Sequence, residues 1–365
     1  MYRDVNVVQS GGVEIRGLKA SLAPRRQQSQ AAPKLERYVF VPLNGDKAAS
    51  GEGEKVRTAV LTGLLQLVLE NSGGALKMKV VEVEGDRGQD ALLAPHVISI
   101  LEAEPTLAVD VALASTSTDA LPQPLADLGV KQVSLEKAGP FEAPAGSHLV
   151  VTTDLSARAE PALWKKISES LKPGGFVLAE ELGSAEFTVP KDSGLVVVGK
   201  QWADKNTYTL LRKVDPVPKP EVINVSNTDF SWVEPLKKAL KESEANGQRI
   251  LLVSQGEENS GLIGLVTCLM REPGGLNLRS VLVQDPKAPA FSLSTPIYAK
   301  QLELDLVSNV LRNATSNQWG TYRHILLDNP RDVASLQVEH AYINTLSRGD
   351  LASLRWIEGP LTFYK

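Results

Sequence analysis

The sequence holds one cysteine, Cys268, among 365 residues. A single thiol cannot build a disulfide framework or a thiolate zinc site, so those small-domain solutions are excluded. Histidine is almost as scarce. His96, His148, His324 and His340 lie far apart, and none forms the one-turn pair of a helical metal site. A basic excess is also missing: 39 Lys and Arg face 43 Asp and Glu, for a net charge of -4. That argues against a dedicated nucleic-acid binder, which needs a cationic face. No apolar run reaches the roughly 18 residues of a membrane span. The longest, residues 56–69, is broken by Arg57, Thr58, Thr62, Gly63 and Gln66. The first residues, MYRDV, lack the apolar core of a signal peptide. A cytoplasmic location is the resulting expectation.

What is present is ordinary globular material, 42% hydrophobic and 22% charged, long enough for at least two domains. Residues 13–24 and 35–43 read as extended, with a polar stretch, RRQQSQAAPK, between them. These strands are too short to bury a core and need a partner elsewhere. Residues 44–54 have linker composition. Val56, Val60, Leu64, Leu65 and Val68 then recur at helical spacing, and Asn71-Ser72-Gly73-Gly74 ends the helix.

From residue 75 to about 213 strands and helices alternate, the pattern of an α/β unit with a mostly parallel sheet. LKMKVVEVEG, TLAVDVALAST, GVKQVSLEK and SHLVVTTD are the first four strands. A helix with Leu163, Ile167 and Leu171 on one face runs into LKPGG, and FVLAEE is the fifth strand. Residues 195–214 read as a closing hairpin. DPVPKPEV, with three prolines in eight residues, reads as a linker to a second α/β unit. There the pattern predicts a helix capped by Asn227 or Thr228, the strand RILLVS, a helix over SGLIGLVTCLM and the strand LRSVLVQD. A helix over residues 296–311, the strand YRHILL and a final strand-turn-strand follow.

In Rossmann-like folds the loop after the first strand holds the cofactor. Here that strand ends Glu82-Val83 and the loop reads Glu84-Gly85-Asp86-Arg87-Gly88. S-adenosylmethionine methyltransferases, which this unit resembles, commonly carry G-x-G-x-G there. In that register Glu84 and Asp86 take the first two glycine positions and only Gly88 remains. Two carboxylates would then face the cofactor's own, a repulsion of about 1–4 kcal/mol at ~4 Å. Their side chains also block close backbone approach. The next strand offers Ser115, or the later Asp119, where an acid is expected; Asp110 lies too early. LWKKISESLKPGGFVLAEE is similar to the methyltransferase helix-PGG-strand segment, which is structural.

In the second unit Gly256, Gly261 and Gly264 supply only a trailing G-x-x-G, and Glu257-Glu258 replace the phosphate-friendly start. Gly261 and Gly264 are expected to permit close helix packing. Neither Tyr298 nor Tyr322 has a lysine four residues on, as a reductase set requires. Cys268, among Leu265, Val266 and Leu269, is expected to be a small buried thiol.

LKMKVVEV, NTDFSWVEPLK, SGLIGLVTCLMREPGG, WGTYRHILL and EHAYINTLSRGDLASLRWI resemble the central region of animal fatty acid synthase. GGVEIRGLKAS resembles the end of that synthase's dehydratase domain. The resemblance covers nearly the whole chain and weakens between about 84 and 155. It implies two Rossmann-like units: a degenerate methyltransferase fold, then a truncated short-chain-reductase-like half, with an N-terminal β linker. The implied divisions are residues 1–42, the dehydratase end and linker; 43–214, a pseudo-methyltransferase; and 215–365, a pseudo-ketoreductase. Both units are described in that family as catalytically silent.

The resemblance therefore implies a non-catalytic segment of a multifunctional synthase, with no catalytic residues, cofactor or metal. Glu82, Glu84, Gly85, Asp86, Gly88 and Ser115 would be the vestige of a cofactor loop. The implied partners are the active ketoreductase and the neighbouring dehydratase and enoylreductase domains, within a homodimeric parent. The piece alone is expected to be a monomer with an apolar docking patch on its second unit. The alternative is an active C-methyltransferase of a polyketide-synthase-like multienzyme. The family's helix-rich insertion before the methyltransferase core is short here, and the chain ends fit an excised fragment.

Overall fold

The computed structural model describes residues 7–10, 12–16, 35–46, 53–88, 91–104, 106–117, 120–135, 146–158, 160–183, 188–216, 219–256, 260–327 and 338–359. The chain divides into two compact units, one of residues 1–36 with 326–365 and one of residues 37–325. The first contains two antiparallel hairpins. One pairs β1 (Val7–Ser10) with β2 (Val13–Arg16). Both α/β sheets lie in the second unit.

After β3 (Glu36–Pro42), α1 (Glu54–Glu70) turns Leu61, Leu64, Leu65, Leu67 and Val68 inward. It stops at Asn71, whose Nδ2 donates to the Leu67 carbonyl at 2.8 Å and satisfies one of the orphaned end groups. Gly73 and Gly74 then take the left-handed conformation that reverses the chain.

The first sheet follows. Its elements are β4 (Lys77–Val83), α2 (Ala94–Leu101), β5 (Ala108–Ser115), α3 (Gln123–Asp127), β6 (Lys131–Ser134), β7 (Ser147–Thr153), α4 (Pro161–Ser170), β8 (Leu171–Leu182), β9 (Leu195–Ala203) and β10 (Asn206–Lys213). The spatial order is β6-β5-β4-β7-β8-β10-β9. The first five strands are parallel, and β10 lies antiparallel between β8 and β9. Read within the sheet, that is order 3-2-1-4-5 plus a closing hairpin, a Rossmann-like layout whose order reverses between β4 and β7. The strands are nearly all apolar because both faces are covered. One face packs on Leu163, Trp164 and Ile167 of α4, the other on α1 and α2. Leu171, expected on the α4 face, instead opens β8: its backbone is extended, and it pairs with Ser147.

The second sheet contains β11 (Glu221–Asn224), α5 (Val233–Asn246), β12 (Ile250–Gln255), α6 (Leu262–Leu269), β13 (Leu278–Val283), α7 (Pro296–Leu302), β14 (Ser308–Asn313) and β15 (Gln318–Leu326). Its order is β11-β12-β13-β14-β15-β3. The four strands β11 to β14 are parallel and β15 returns antiparallel. Strand β3 supplies the sixth position beside β15, so the downstream partner that this short stretch needs is β15. Gly320 is required there, because a Cβ would overlap the Phe40 ring and the Val41 carbonyl. Asn44 carries the chain on to a bridge with Lys200 of the first sheet.

Two expected helices differ. Asn227 and Thr228 do not cap α5, which starts at Val233 without a side-chain cap. The preceding residues are occupied by a Ser226–Thr228 contact and an Asp229–Ser231 turn. The helix expected over residues 296–311 ends at Leu302. Asp305 takes a positive φ of 48°, and β14 begins at Ser308. The closing strand-turn-strand is β16 (Ala341–Thr345) paired antiparallel with β17 (Leu354–Glu358).

Candidate functional site

In open α/β sheets ligands bind beyond the carboxyl ends of the strands, where the strand order reverses. In the first sheet that point lies between β4 and β7, flanked by the loops at 84–88 and 154–158. These loops are tied directly together. Arg87 reaches from the first loop to Asp154 of the second, with Nε to Oδ2 at 2.5 Å and Nη2 to Oδ1 at 3.2 Å. The same guanidinium donates to Glu180 Oε1 at 2.9 Å and to the Glu180 carbonyl at 3.0 Å. Burial opposes the Arg87 charge, but Asp154 and Glu180 outweigh it and raise its pKa above the ordinary value. On the far side of Glu180, Arg57 of α1 donates to Oε2 at 3.1 Å and to the Tyr208 hydroxyl at 3.0 Å.

The expected vestigial residues fall around this tie. Gly85 sits against β7: a Cβ there would overlap Thr153 Oγ1 and come within 3.0 Å of its carbonyl. Glu84 turns sideways and accepts a hydrogen bond from the Ser115 hydroxyl, joining the ends of β4 and β5. Its carbonyl accepts from Arg158 at 2.9 Å. Asp86 is exposed, and Gly88 holds a left-handed φ of 72°. Asp119 lies outside the described residues. Asp110 is engaged by Lys77 at 3.2 Å and Lys131 at 3.0 Å, well before the strand end.

Glu82 is the most buried of the set, at 1% exposure. Its carboxylate accepts from the Leu93 and Ala94 backbone N–H groups at 2.6 and 2.7 Å, at the start of α2. Burial nevertheless raises its pKa to about 7, against the pull of those two donors and with help from Glu180 and Glu84. Sequence reasoning named the lost glycines but missed Arg87, Asp154 and Glu180. The available signal was an arginine inside a cofactor loop with acids ending two neighbouring strands.

In the second sheet the parallel strands β11 to β14 follow chain order without reversal, so they create no such crevice. Gly256, after β12, has a φ of 83°, and Glu257 and Glu258 lie outside the described residues. The expectation that Gly261 and Gly264 permit close packing is not met: a Cβ at either position meets nothing within 4 Å. Cys268 is exposed rather than buried, because α6 buries only Leu262 and Val266 and turns the thiol away from them. The tyrosine hydroxyls are engaged: Tyr298 donates to the Pro289 carbonyl at 2.5 Å, and Tyr322 pairs with the Gln284 amide. Among the described residues no cluster of three or more His, Cys, Asp or Glu is placed to share a metal, and no helix is long and apolar enough to cross a membrane.

Fold and site thus define a protein of two Rossmann-like α/β units, the first cross-tied at its strand-order reversal. Residues 229–327, which include α5 to β15 of the second sheet, match the family model for the fatty acid synthase pseudo-KR domain. Among solved structures the chain is similar to an O-methyltransferase family protein from Burkholderia thailandensis, at 16% identity over 44% of this chain and 58% of that one, with a TM-score of 0.29. It is also similar to a SAM-dependent methyltransferase from Aquifex aeolicus, at 11% identity over 43% of this chain and 91% of that one, TM-score 0.32. The CMeT domain of the citrinin polyketide synthase matches at 13% identity over 40% of this chain and 48% of that one, TM-score 0.30.

Proposed function

We propose that this chain is a non-catalytic structural segment of a multifunctional fatty acid synthase. The observation that carries the reading is the Arg87–Asp154–Glu180 tie across the reversal point of the first sheet. A cofactor entering between the loops would have to displace a guanidinium bound by two carboxylates, and leave them facing its own anionic end. Removing one partner from such a group is costly. Gly85 packs so closely on Thr153 that not even a Cβ fits between them, which draws the two loops together.

On this reading residues 43–214 are the methyltransferase relic and residues 215–365 the ketoreductase-like half. Residues 1–42 are the end of a dehydratase and its linker, whose last strand closes the sheet of the ketoreductase-like half. Glu82, Glu84, Gly85, Asp86, Gly88 and Ser115 serve as structural residues of the closed loop. The half-buried Ile263, Leu265, Leu269 and Met270, beside the exposed Gly264 and Cys268, supply a docking surface for the active ketoreductase. Dehydratase and enoylreductase domains flank the segment, in the cytoplasm, and the isolated chain is a monomer. Light scattering tests the last point.

The test of inactivity is methyl transfer. The chain is incubated with methyl-labelled S-adenosylmethionine and a β-ketoacyl substrate on a carrier protein. The expected result is no label in the acyl product. Transfer above the enzyme-free rate would overturn the reading.

A further inference from the structure

A cavity of about 440 Å3 lies at the opposite edge of the sheets from the cross-tied loops. It is where the amino ends of both parallel sheets meet. Asn71 precedes β4, Lys172 opens β8, Arg249 precedes β12, Arg279 opens β13 and Asp305 precedes β14. Arg212 and Lys213 arrive at the end of the antiparallel β10. The walls carry five cationic side chains and only two carboxylates, Asp215 and Asp305.

Asp305 cannot balance that charge. Arg279 donates to it at 2.8 Å through both Nε and Nη2, Arg249 donates at 2.7 Å, and Arg212 stands 3.9 Å away. Arg212 is 3% exposed, and its Nε has no hydrogen-bond partner. No carboxylate pairs with Lys172 among the described residues. Burial lowers the pKa of Lys172, Arg212 and Arg249, and neighbouring arginines lower each further. A buried excess of this kind is relieved by a bound anion.

A second cavity, of about 530 Å3, shares Val214, Asp215, Pro216, Arg249, Arg279 and Asp305 with the first. Beyond those residues its walls are mostly apolar, including Leu251, Leu293, Ala299, Leu302 and Leu306, with Lys219 and Glu303 the charged exceptions. The pair therefore places a cationic chamber against a mostly apolar one.

We propose that this paired cavity binds an amphipathic oxyanion, with the head on Lys172, Arg212 and Arg249 and the apolar part against Leu293, Ala299 and Leu302. The head is a phosphate or a carboxylate, since a guanidinium fork matches either. The site shares no residue with the loop at 84–88, so it goes beyond the non-catalytic reading and is tested separately.

The experiment is calorimetric titration of the full chain with decyl phosphate, decanoate and inorganic pyrophosphate. At least one decyl amphiphile should bind about tenfold or more tighter than pyrophosphate, because only it fills the apolar chamber. Decyl phosphate and decanoate then distinguish a phosphate head from a carboxylate head. Lys172→Gln, which breaks no ion pair, should weaken the amphiphile about tenfold. Ala299→Trp should erase its advantage over pyrophosphate. Unfolding midpoints of both variants without ligand check that they fold; if Ala299→Trp does not, Lys172→Gln decides alone. No binding of either amphiphile overturns the proposal. So does equal binding of pyrophosphate, or amphiphile binding that Lys172→Gln leaves unchanged.

Discussion

Arg87 and Asp154 lock the two loops that flank the strand-order reversal of the first sheet, Nε to Oδ2 at 2.5 Å, with Glu180 holding the other side of the guanidinium. The place where this fold would admit a cofactor is occupied by the chain's own charge pair. On the proposed reading the loop is a structural strut.

Arg87→Ala should lower the unfolding free energy by about 1–3 kcal/mol, since it leaves Asp154 and the buried Glu180 short of a partner. The guanidinium is one-fifth exposed, so solvent screening reduces the loss below that of a fully buried pair. Urea denaturation checks it. A variant as stable as the parent would show that the tie contributes nothing.

Gly85→Ala should cost about 1–3 kcal/mol, because its Cβ overlaps the Thr153 side chain. Adding Thr153→Ala removes the worst contact and should recover part of the loss. The Thr153 carbonyl, 3.0 Å from the new Cβ, limits full recovery. A double-mutant cycle of thermal midpoints measures the coupling.

Glu82 should give stability a pH dependence of unusual sign. Its folded-state pKa is about 7, above the 4.5 of an ordinary glutamate. Between those values the folded state holds more protons than the unfolded state. The Glu82 contribution is thus most favourable below about pH 4.5 and is lost as pH rises through 7. The loss is on the order of 3 kcal/mol. In Glu82→Gln that component of the slope should vanish, although the baseline falls because the amide cannot accept both N–H bonds. Parallel slopes for parent and variant between pH 5 and 8 would contradict this.

Much of the first sheet was legible because its strands are long and apolar, bounded by glycine or proline, and its helices keep a strict period. The second sheet was harder. Residues 296–311 carry apolar side chains at helical spacing, but Val310 and Leu311 lie in strand β14, Leu306 and Val307 lead into it, and the break is the backbone of Asp305. Cys268 sits in an apolar sequence, yet α6 buries only Leu262 and Val266. Periodicity states how many faces are apolar, not which are covered. Arg87 was invisible for a different reason. Its partners, Asp154 and Glu180, lie 67 and 93 residues away, and only the sheet order brings them to one edge.

Cys268 should react with a thiol reagent in the native chain to one equivalent, at nearly the rate of the urea-unfolded chain, because it is exposed. Protection until unfolding would show that α6 is covered in solution.

The most direct test of the closed crevice is titration of the purified chain with S-adenosylmethionine, followed by heat. The account predicts no binding heat up to millimolar ligand, for the parent and for Asp154→Ala alike. Saturable micromolar binding to the parent would mean that Arg87 yields its place to the cofactor, and the structural reading would fall.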